Sequence, residues 1–261
     1  MTLTHAKPVL IRSLYVLVVL AILPFLIWNG FIQQVSGEWN DLVVRMRGVQ
    51  TSPTVGSVVL VAIDDRTASR SGPLPLNRAK LAEGLEVLAQ APPLVVVLDL
   101  LISEPGNPAQ DARLARALHL FPRVVLGAAI ESDAGEHPSW ILPLSDLAQD
   151  RSVAHVHAAP DADGNVRSVL LWKEAAGQRF RALGLEAARL ATGSDRPLES
   201  ADSVSLGQVQ IPASEIDSRT MMINYVGPEG TFPRASFNAL LERTADLSKF
   251  RGKIVIVGAT A

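Results

Sequence analysis

Three carboxylates in this chain follow apolar, β-branched runs that have the character of buried strands. Asp64 and Asp65 come directly after the first such run, and Asp99 lies near the end of the second. In an open parallel sheet, the loops at the carboxyl ends of the strands form the ligand crevice. Carboxylate oxygens there could bind Mg²⁺, but they could equally cap helices, fix turns or pair with Arg78. Because no motif supplies the remaining ligands, we predict a ligand crevice near these four side chains, with no metal and no cofactor.

Residues 161–164 (DADG) resemble the start of a calcium-binding loop. Such a loop needs a glutamate at its twelfth position, which is Trp172 in this chain. Asp-Gly between two apolar runs is an ordinary hairpin signal. We therefore expect a structural turn that joins antiparallel strands at residues 152–158 and 168–173.

A pair of histidines, His155 and His157, alternates along the first of these predicted strands and would share one face. Two histidines on one face can bind zinc, but a third ligand is not evident in the sequence. We expect a solvent-facing pair without a metal.

Whole-chain composition excludes several classes of chemistry. The 261 residues contain no cysteine, which rules out disulfides, thiolate catalysis and cysteine-based metal sites. A net charge of −2 does not suggest nucleic acid as a partner. The sequence contains no Gly-x-Ser-x-Gly elbow and no P-loop. We therefore expect no catalytic activity from the chain itself.

The elements that must position these side chains alternate in type. Apolar runs at residues 57–63, 94–100 and 123–130 are separated by amphipathic helices that begin after Asn77 and Asn107, two residues suited to capping a helix. This strand–helix alternation predicts parallel pairing with helices on both faces. The predicted fold class is α/β, with a mixed, largely parallel sheet flanked by helices. The soluble domain would occupy residues 51–261.

An N-terminal apolar block at residues 14–32 has the length of a membrane span. Its 19 residues would cover about 28 Å as a helix, against about 30 Å for the hydrocarbon core. We predict a transmembrane helix there, a short cytoplasmic tail at residues 1–13, and a main domain outside the cytoplasm at the cell membrane. The positive-inside rule biases the orientation only slightly in this direction.

The helical pattern continues beyond the apolar block, over residues 33–50. An apolar stripe follows one helix face and consists of Val35, Trp39, Leu42, Val43 and Met46. Gly48 is a plausible end of the helix. We favour the interpretation that the stripe packs on the domain. A mechanical link between the domain and the membrane remains an alternative.

Taken in order, these landmarks resemble the type-two CHASE family, the extracellular sensory domains associated with cyclases and histidine kinases. The matching segments are residues 61–65 (VAIDD), the loop 72–78, Asp99, Asp111, Asp163-Gly164 with Val166 and Arg167, residues 223–228 (INYVGP), Phe232-Pro233 with Ser236, and residues 253–260 (KIVIVGAT). The family loop usually reads Gly-x-Trp-Pro-Trp-x-Arg. In this chain Leu74 and Leu76 replace both tryptophans, which keeps apolar packing and removes ring stacking.

The resemblance implies a ligand-sensing domain of a membrane-bound signal-transduction receptor, whose partners would be the lipid bilayer and an unknown small-molecule or protein signal. The resemblance leaves open whether the chain forms a homodimer. Two alternatives are a membrane-tethered, metal-dependent hydrolase using the Asp cluster and a non-catalytic assembly domain. Family members continue beyond the final strand, so we expect the chain to be truncated at its C-terminus.

Overall fold

The structure is a computed structural model that describes residues 31–131, 138–216 and 219–260. The helices in this part of the chain are α1 (Phe31–Arg47), α2 (Pro53–Ser57), α3 (Asp65–Ser71), α4 (Arg78–Leu88), α5 (Pro108–Leu118), α6 (Ser145–Ala148), α7 (Leu183–Thr192) and α8 (Phe237–Leu241), with a 3₁₀ turn at Leu247–Lys249. The strands are β1 (Val58–Ile63), β2 (Val95–Asp99), β3 (Val124–Glu131), β4 (Ser139–Ile141), β5 (Ser152–His155), β6 (Ala159–Pro160), β7 (Val166–Leu170), β8 (Trp172–Ala175), β9 (Gln178–Arg181), β10 (Leu198–Glu199), β11 (Ser203–Leu206), β12 (Val209–Pro212), β13 (Thr220–Met222), β14 (Arg234–Ser236) and β15 (Ile254–Ala259).

The central sheet has the order β14-β1-β15-β2-β3, and β5 also pairs with β3. All of these pairings are parallel, while the short strand β4 runs antiparallel to β3. The predicted α/β class with a largely parallel sheet is therefore confirmed. The last strand, β15, lies between β1 and β2, an arrangement that strand–helix alternation alone does not reveal.

Helices cover both faces of the central sheet, which explains why its strands are continuously apolar. On one face, α4, α5 and α8 bury Leu85, Leu114 and Phe237 against the strands. Gly84 of α4 permits this packing, because a Cβ atom there would lie 2.2 Å from Cζ of Phe237. On the other face, α7 packs against β2, β3 and β5, and its Ala187 is buried among their valines.

The two predicted caps position helices next to the strand ends. The Asn77 side chain accepts a hydrogen bond from the Ala79 amide at 2.8 Å at the start of α4. The Asn107 side chain accepts from the amides of Ala109 and Gln110 at the start of α5. Both caps satisfy amide groups that have no partner within the helix.

Small antiparallel sheets form the rest of the described chain. They are β6-β7-β13, β8-β9 and β10-β11-β12. The predicted hairpin of residues 152–158 with 168–173 is wrong, because β5 joins the central sheet beside β3 and β7 pairs with β6 and β13. The predicted turn itself is confirmed: the Gly164 amide donates to the Asp161 carbonyl at 2.9 Å, and Gly164 has a φ of 82°.

Helix α1 occupies the segment where the sequence predicts a helix beyond the apolar block. It ends before Gly48, whose φ of 68° is suited to a helix terminus. The predicted membrane span at residues 14–32 lies outside the described residues, except for its last two. Within the ranges that the structure describes, no helix combines the length and the apolar character that crossing a membrane requires.

The interpretation that the α1 stripe packs on the domain is wrong for the four stripe residues whose side chains are described. Trp39 is 66% exposed, Met46 is 78% exposed, and Leu42 and Val43 are each 45% exposed. Helical periodicity shows that these residues share a face, but it does not show which face is turned towards the domain. The opposite, polar face of α1 contacts the domain instead.

Candidate functional site

A cleft of about 530 Å³ opens at the carboxyl ends of β1, β15 and β2. Parallel neighbours end at the same edge of a sheet, so the loops that follow them enclose this space. Apolar side chains make up most of its wall, and the residues around it are Ile63, Leu74, Pro75, Leu76, Arg78, Leu81, Leu100, Leu101, Ile102, Ser103, Glu104 and Ala259. Both leucines that replace tryptophan in the family loop therefore line the cleft.

Arg78 is the basic side chain in the wall of this cleft. Its guanidinium donates to the Asp111 carboxylate and to the backbone carbonyl of Glu104. The Gly106 amide donates to the other carboxylate oxygen of Asp111 at 2.9 Å. The hydrogen bond from Arg78 holds the pKa of Asp111 below its usual range. Because the cation is paired within the protein, the cleft presents mainly apolar surface to a ligand.

Asp64 lies at the N-terminus of α3 and acts as its cap. Its Oδ1 accepts hydrogen bonds from the Thr67 amide at 3.0 Å, from the Thr67 hydroxyl at 2.9 Å and from the Ser236 hydroxyl at 2.9 Å. Burial alone would raise the pKa of this carboxyl, but the hydrogen bonds outweigh burial and leave the pKa lowered. One oxygen of Asp64 thus joins α3 to the end of β14.

The other two predicted carboxylates have separate surroundings. Asp65 is exposed in the first turn of α3. Asp99 lines a smaller depression of about 150 Å³ together with Arg234 and Gly258. Asp99 is exposed to solvent, yet the surrounding strands desolvate its carboxylate and raise its pKa.

The four predicted site residues are therefore not brought together in one crevice. Arg78 lines the large cleft, Asp99 lines the smaller depression, Asp64 caps a helix, and Asp65 faces solvent. Across the part of the chain that the structure describes, no three of the His, Asp and Glu side chains come together where they could hold a metal ion. The assignment of these four residues to ligand binding stays a prediction.

The predicted solvent-facing histidine pair is wrong. His155 is only 1% exposed, and His157 accepts a hydrogen bond from the Ile130 amide at 2.5 Å. Neither nitrogen of His155 has a partner in hydrogen-bond geometry, although the nearby Leu170 backbone slightly favours the protonated form. Desolvation lowers the pKa of His155 to about 4, with a smaller contribution from His157. Strand alternation missed this burial because β9 and α7 contact β5, and Ala182 forms a bridge with His155.

A cluster that the sequence did not reveal joins α1 to the domain. We call it the latch, and it consists of Arg167, Asp41, Asp161 and Asp163. The Arg167 guanidinium donates to both oxygens of Asp41 at 2.9 and 2.6 Å. It also donates to Asp161 at 2.6 Å and to Asp163 at 2.9 and 2.6 Å. Asp41 belongs to α1, whereas the other members belong to the turn between β6 and β7 and to β7 itself.

Burial and electrostatics make the latch a strong contact. The Arg167 side chain is only 9% exposed, and its hydrogen bonds lower the pKa of Asp41 and hold the pKa of Asp163 well below its usual range. Gly37 of α1 allows the close approach, since a Cβ atom there would lie 3.1 Å from Cζ of Arg167. The order Asp-Gly-x-Val-Arg was visible in the sequence, but nothing local indicated Asp41 as its partner.

A second contact fixes the C-terminal end of α1. Arg47 donates to the Asn224 side chain at 2.7 Å and to the Tyr225 carbonyl at 2.9 Å. The Gln50 amide donates to the Val226 carbonyl at 2.7 Å. The Tyr225 hydroxyl in turn donates to the Val166 carbonyl at 2.5 Å, next to the latch arginine. The segment between β13 and β14 therefore contacts both α1 and β7.

Comparison with known proteins identifies the family of this chain. A family model described as the CHASE2 domain matches residues 16–261. No curated protein and no solved structure gives a significant match. CHASE2 domains are sensory domains of signalling proteins and are not themselves catalytic. With nearly its whole length matched, the chain belongs to the CHASE2 domain family.

Proposed function

We propose that this chain is the extracytoplasmic, ligand-sensing part of a membrane-bound signal-transduction receptor. The observation that carries the proposal is the latch, in which one buried arginine holds the helix that follows the apolar N-terminal block. A sensory domain needs a contact through which its own state reaches the rest of the receptor. Arg167 and Asp41 supply such a contact between the domain and α1.

The latch is suited to switching because its two sides belong to different elements. Arg167 is shared between a helix carboxylate and two turn carboxylates. A small displacement of the turn would change the geometry of the Asp41 pair while Asp161 and Asp163 still neutralise the arginine. A ligand shifts the balance between two states only through a difference in its affinity for them. The proposed output is a change in the position of α1 when the domain changes state.

The large cleft is the proposed input site. Its wall is mostly apolar, its arginine is already paired, and Ser103 and Glu104 are the other polar residues of its lining. Sites of this composition suit ligands that bury apolar surface and make few directed hydrogen bonds. The proposed ligand class is therefore a largely apolar, uncharged small molecule.

A thermal-shift screen of the full chain in detergent tests the input site. Ser103→Trp would fill the cleft, and Ser69→Trp, on the exposed surface of α3, is the matched control. We expect a ligand to stabilise the wild-type chain and the Ser69 variant but not the Ser103 variant. Equal stabilisation of both variants would place the ligand elsewhere, and a broad screen without any stabilising compound would contradict ligand sensing.

The proposed location can be tested separately from ligand binding. The chain contains no cysteine, so Ser69→Cys introduces a single exposed thiol on the domain. We expect a membrane-impermeant maleimide to label this thiol in spheroplasts before lysis. Labelling that requires lysis would place the domain on the cytoplasmic side and overturn the extracytoplasmic assignment, without bearing on the cleft.

A further inference from the structure

The outward face of α1 carries a continuous apolar surface, which we call the seam and define by Trp39, Leu42, Val43 and Met46. All four side chains are exposed, and Trp39 and Met46 keep more than half of their surface in water. Contiguous exposed apolar patches mark interaction sites more often than isolated residues do. The seam is therefore the candidate interaction surface on this part of the molecule.

The orientation of α1 is fixed by contacts and does not result from a missing neighbour within the domain. Asp41 and Gly37 face Arg167, and Arg47 bonds to the segment between β13 and β14. Rotating the helix to bury the seam would break the pair between Asp41 and Arg167. The domain thus holds the polar face of α1 and leaves the apolar face for another partner.

The spacing of the seam indicates what kind of partner it fits. Two seven-residue repeats of apolar residues interleave along the sequence, one at residues 28, 35 and 42 and the other at residues 32, 39 and 46. This is the a and d pattern of a coiled coil, in which the first repeat occupies the d positions and the second occupies the a positions. In a coiled coil, each such side chain inserts between four residues of a facing helix. The partner that the seam fits is therefore another α-helix with the same periodicity.

We infer that the seam packs against the seam of a second copy of this chain, as a parallel, in-register helix pair. A second copy carries the same repeat in the same register. Each residue at position a would therefore face its counterpart at position a, and each residue at position d would face its counterpart at position d. A parallel pair also keeps both domains at the same end of their helices. The flanking positions do not oppose this alignment, because Glu38 would face Val43 of the second copy, and α1 ends before the position that would face Arg45.

The pairing goes beyond ligand sensing and stands whether or not the cleft binds a molecule. Within the pair, each α1 contacts the other copy through its seam and contacts its own domain through its latch. Because the seam and Asp41 lie on opposite faces of one helix, a change at either latch would tilt or rotate a helix that the other copy also contacts. The pair would thus join the two latches mechanically.

Disulfide trapping tests the pair directly, because the wild-type chain contains no cysteine. Leu42→Cys and Met46→Cys place thiols at d and a, where facing helices come within the roughly 4.4–6.8 Å between Cα atoms that a disulfide needs. Arg45→Cys, at the exposed flanking position g, is the matched control on the same helix. Each full-length variant is oxidised in membranes and separated on a non-reducing gel.

We expect a covalent dimer of the chain at positions 42 and 46, with at least a several-fold lower yield at position 45. Equal yields at all three positions would indicate random collision and would overturn the helix pair. A cross-link to another protein in place of the dimer would assign the seam to a different partner and would also overturn it.

A second measurement removes dependence on cross-linking. The double variant Leu42→Lys with Met46→Lys places charges on the seam, while the pair between Arg167 and Asp41 stays intact. We expect light scattering in detergent to show a dimer for the wild-type chain and a monomer for this variant, with unchanged thermal unfolding of the domain. A wild-type monomer at micromolar concentration, or a variant that remains dimeric, would refute the inference.

Discussion

Arg167 and Asp41 form a two-bond ion pair across 126 residues of sequence, and this pair decides which face of α1 contacts the domain. Bidentate pairing of arginine with a carboxylate fixes geometry as well as distance. Its burial distinguishes it from the surface ion pairs of this chain, such as that between Arg113 and Glu86, in which both side chains are 39% exposed. The orientation of α1 therefore depends mainly on the Arg167 guanidinium, with the Arg47 contact securing its C-terminal end.

The first prediction concerns the release of α1. Replacing the latch arginine, as in Arg167→Gln, removes the charge that three carboxylates share and leaves Asp41, Asp161 and Asp163 to repel one another. We expect faster amide hydrogen exchange over residues 37–47, measured by mass spectrometry, while the central sheet stays protected. Asp41→Asn should produce the same local effect.

Arg113→Gln is the matched control for the latch variants. It removes a two-bond arginine–carboxylate pair that joins α5 to α4 and does not involve α1. Exchange in α1 should not change in this variant. If both arginine variants loosen α1 equally, the effect is a general loss of stability and the latch does not hold the helix.

The second prediction separates a structural role of Asp64 from a chemical one. Asp64 is a helix cap that accepts three hydrogen bonds. Asp64→Ala should therefore lower the free energy of unfolding by about 0.5–2 kcal/mol. Asp64→Asn should cost less, because asparagine is also a good cap. Asp65→Ala, at the exposed neighbouring position, should change stability by less than about 0.5 kcal/mol. Urea denaturation measures all three, and equal losses for Asp64 and Asp65 would contradict the cap.

The third prediction concerns the stability of the chain at acidic pH. His155 is buried, and its pKa is about 4 in the folded chain against about 6.5 when it is exposed. Above pH 6.5 the imidazole of His155 is neutral in both the folded and the unfolded state, so its titration does not reduce the stability of the fold. As the pH falls from 6.5 towards 4, only the unfolded state gains the proton at His155. The free energy of unfolding therefore falls by up to about 3 kcal/mol. We expect a loss of about 2 kcal/mol at pH 5, measured by urea denaturation.

His155→Leu is the control for the acid effect. Leucine keeps apolar volume at the buried position and removes the titrating ring, so the decline between pH 6.5 and 5 should become shallower. His157 and Lys173 are the charged or titratable neighbours that lower the pKa of His155. A variant that loses stability over this pH range as steeply as the wild-type chain would assign the acid effect to another group.

The fourth prediction uses two glycines in helices. Gly84→Ala would force a Cβ atom into Phe237, so overpacking should cost about 1–3 kcal/mol despite the better helix propensity of alanine. Gly184→Ala in α7 meets nothing within 4 Å and should be neutral or stabilise the chain by up to about 1 kcal/mol. Thermal unfolding of the two variants should therefore shift in opposite directions or differ clearly in size. Matching shifts would show that the core around Phe237 can relax.

Much of the central sheet could be predicted from local sequence. The runs that form β1, β2, β3 and β15 are short, continuous and β-branched, and the asparagine caps mark where the intervening helices begin. These signals are local, because burial on both faces and cap geometry each involve only a few neighbouring residues. The place of β15 between β1 and β2 is a nonlocal property that no such signal encodes.

Less of the candidate site than of the central sheet could be predicted from the sequence. The strand-end rule located the cleft edge and Arg78, but it could not show that Asp64 turns into a helix cap or that Asp99 points to another face. The sheet β10-β11-β12 was not predicted as three strands because each strand has only two to four residues, although Val204 and Leu206 of β11 alternate with serines and are buried. The latch was missed because charge pairing between distant residues leaves no periodic pattern.

The position of β15 has a consequence for how the domain is made. In the described sheet, β1 and β2 do not pair with each other, because β15 lies between them and pairs with both. The other neighbour of β2 is β3, whereas the other neighbour of β1 is β14. During synthesis, β2 can pair early with β3, but β1 must wait for two strands that emerge after nearly all of the intervening helices and small sheets. Such long-range pairing slows folding and leaves strand edges open to wrong partners in the meantime. The nascent chain should accordingly depend on chaperone protection until residue 259 has been made.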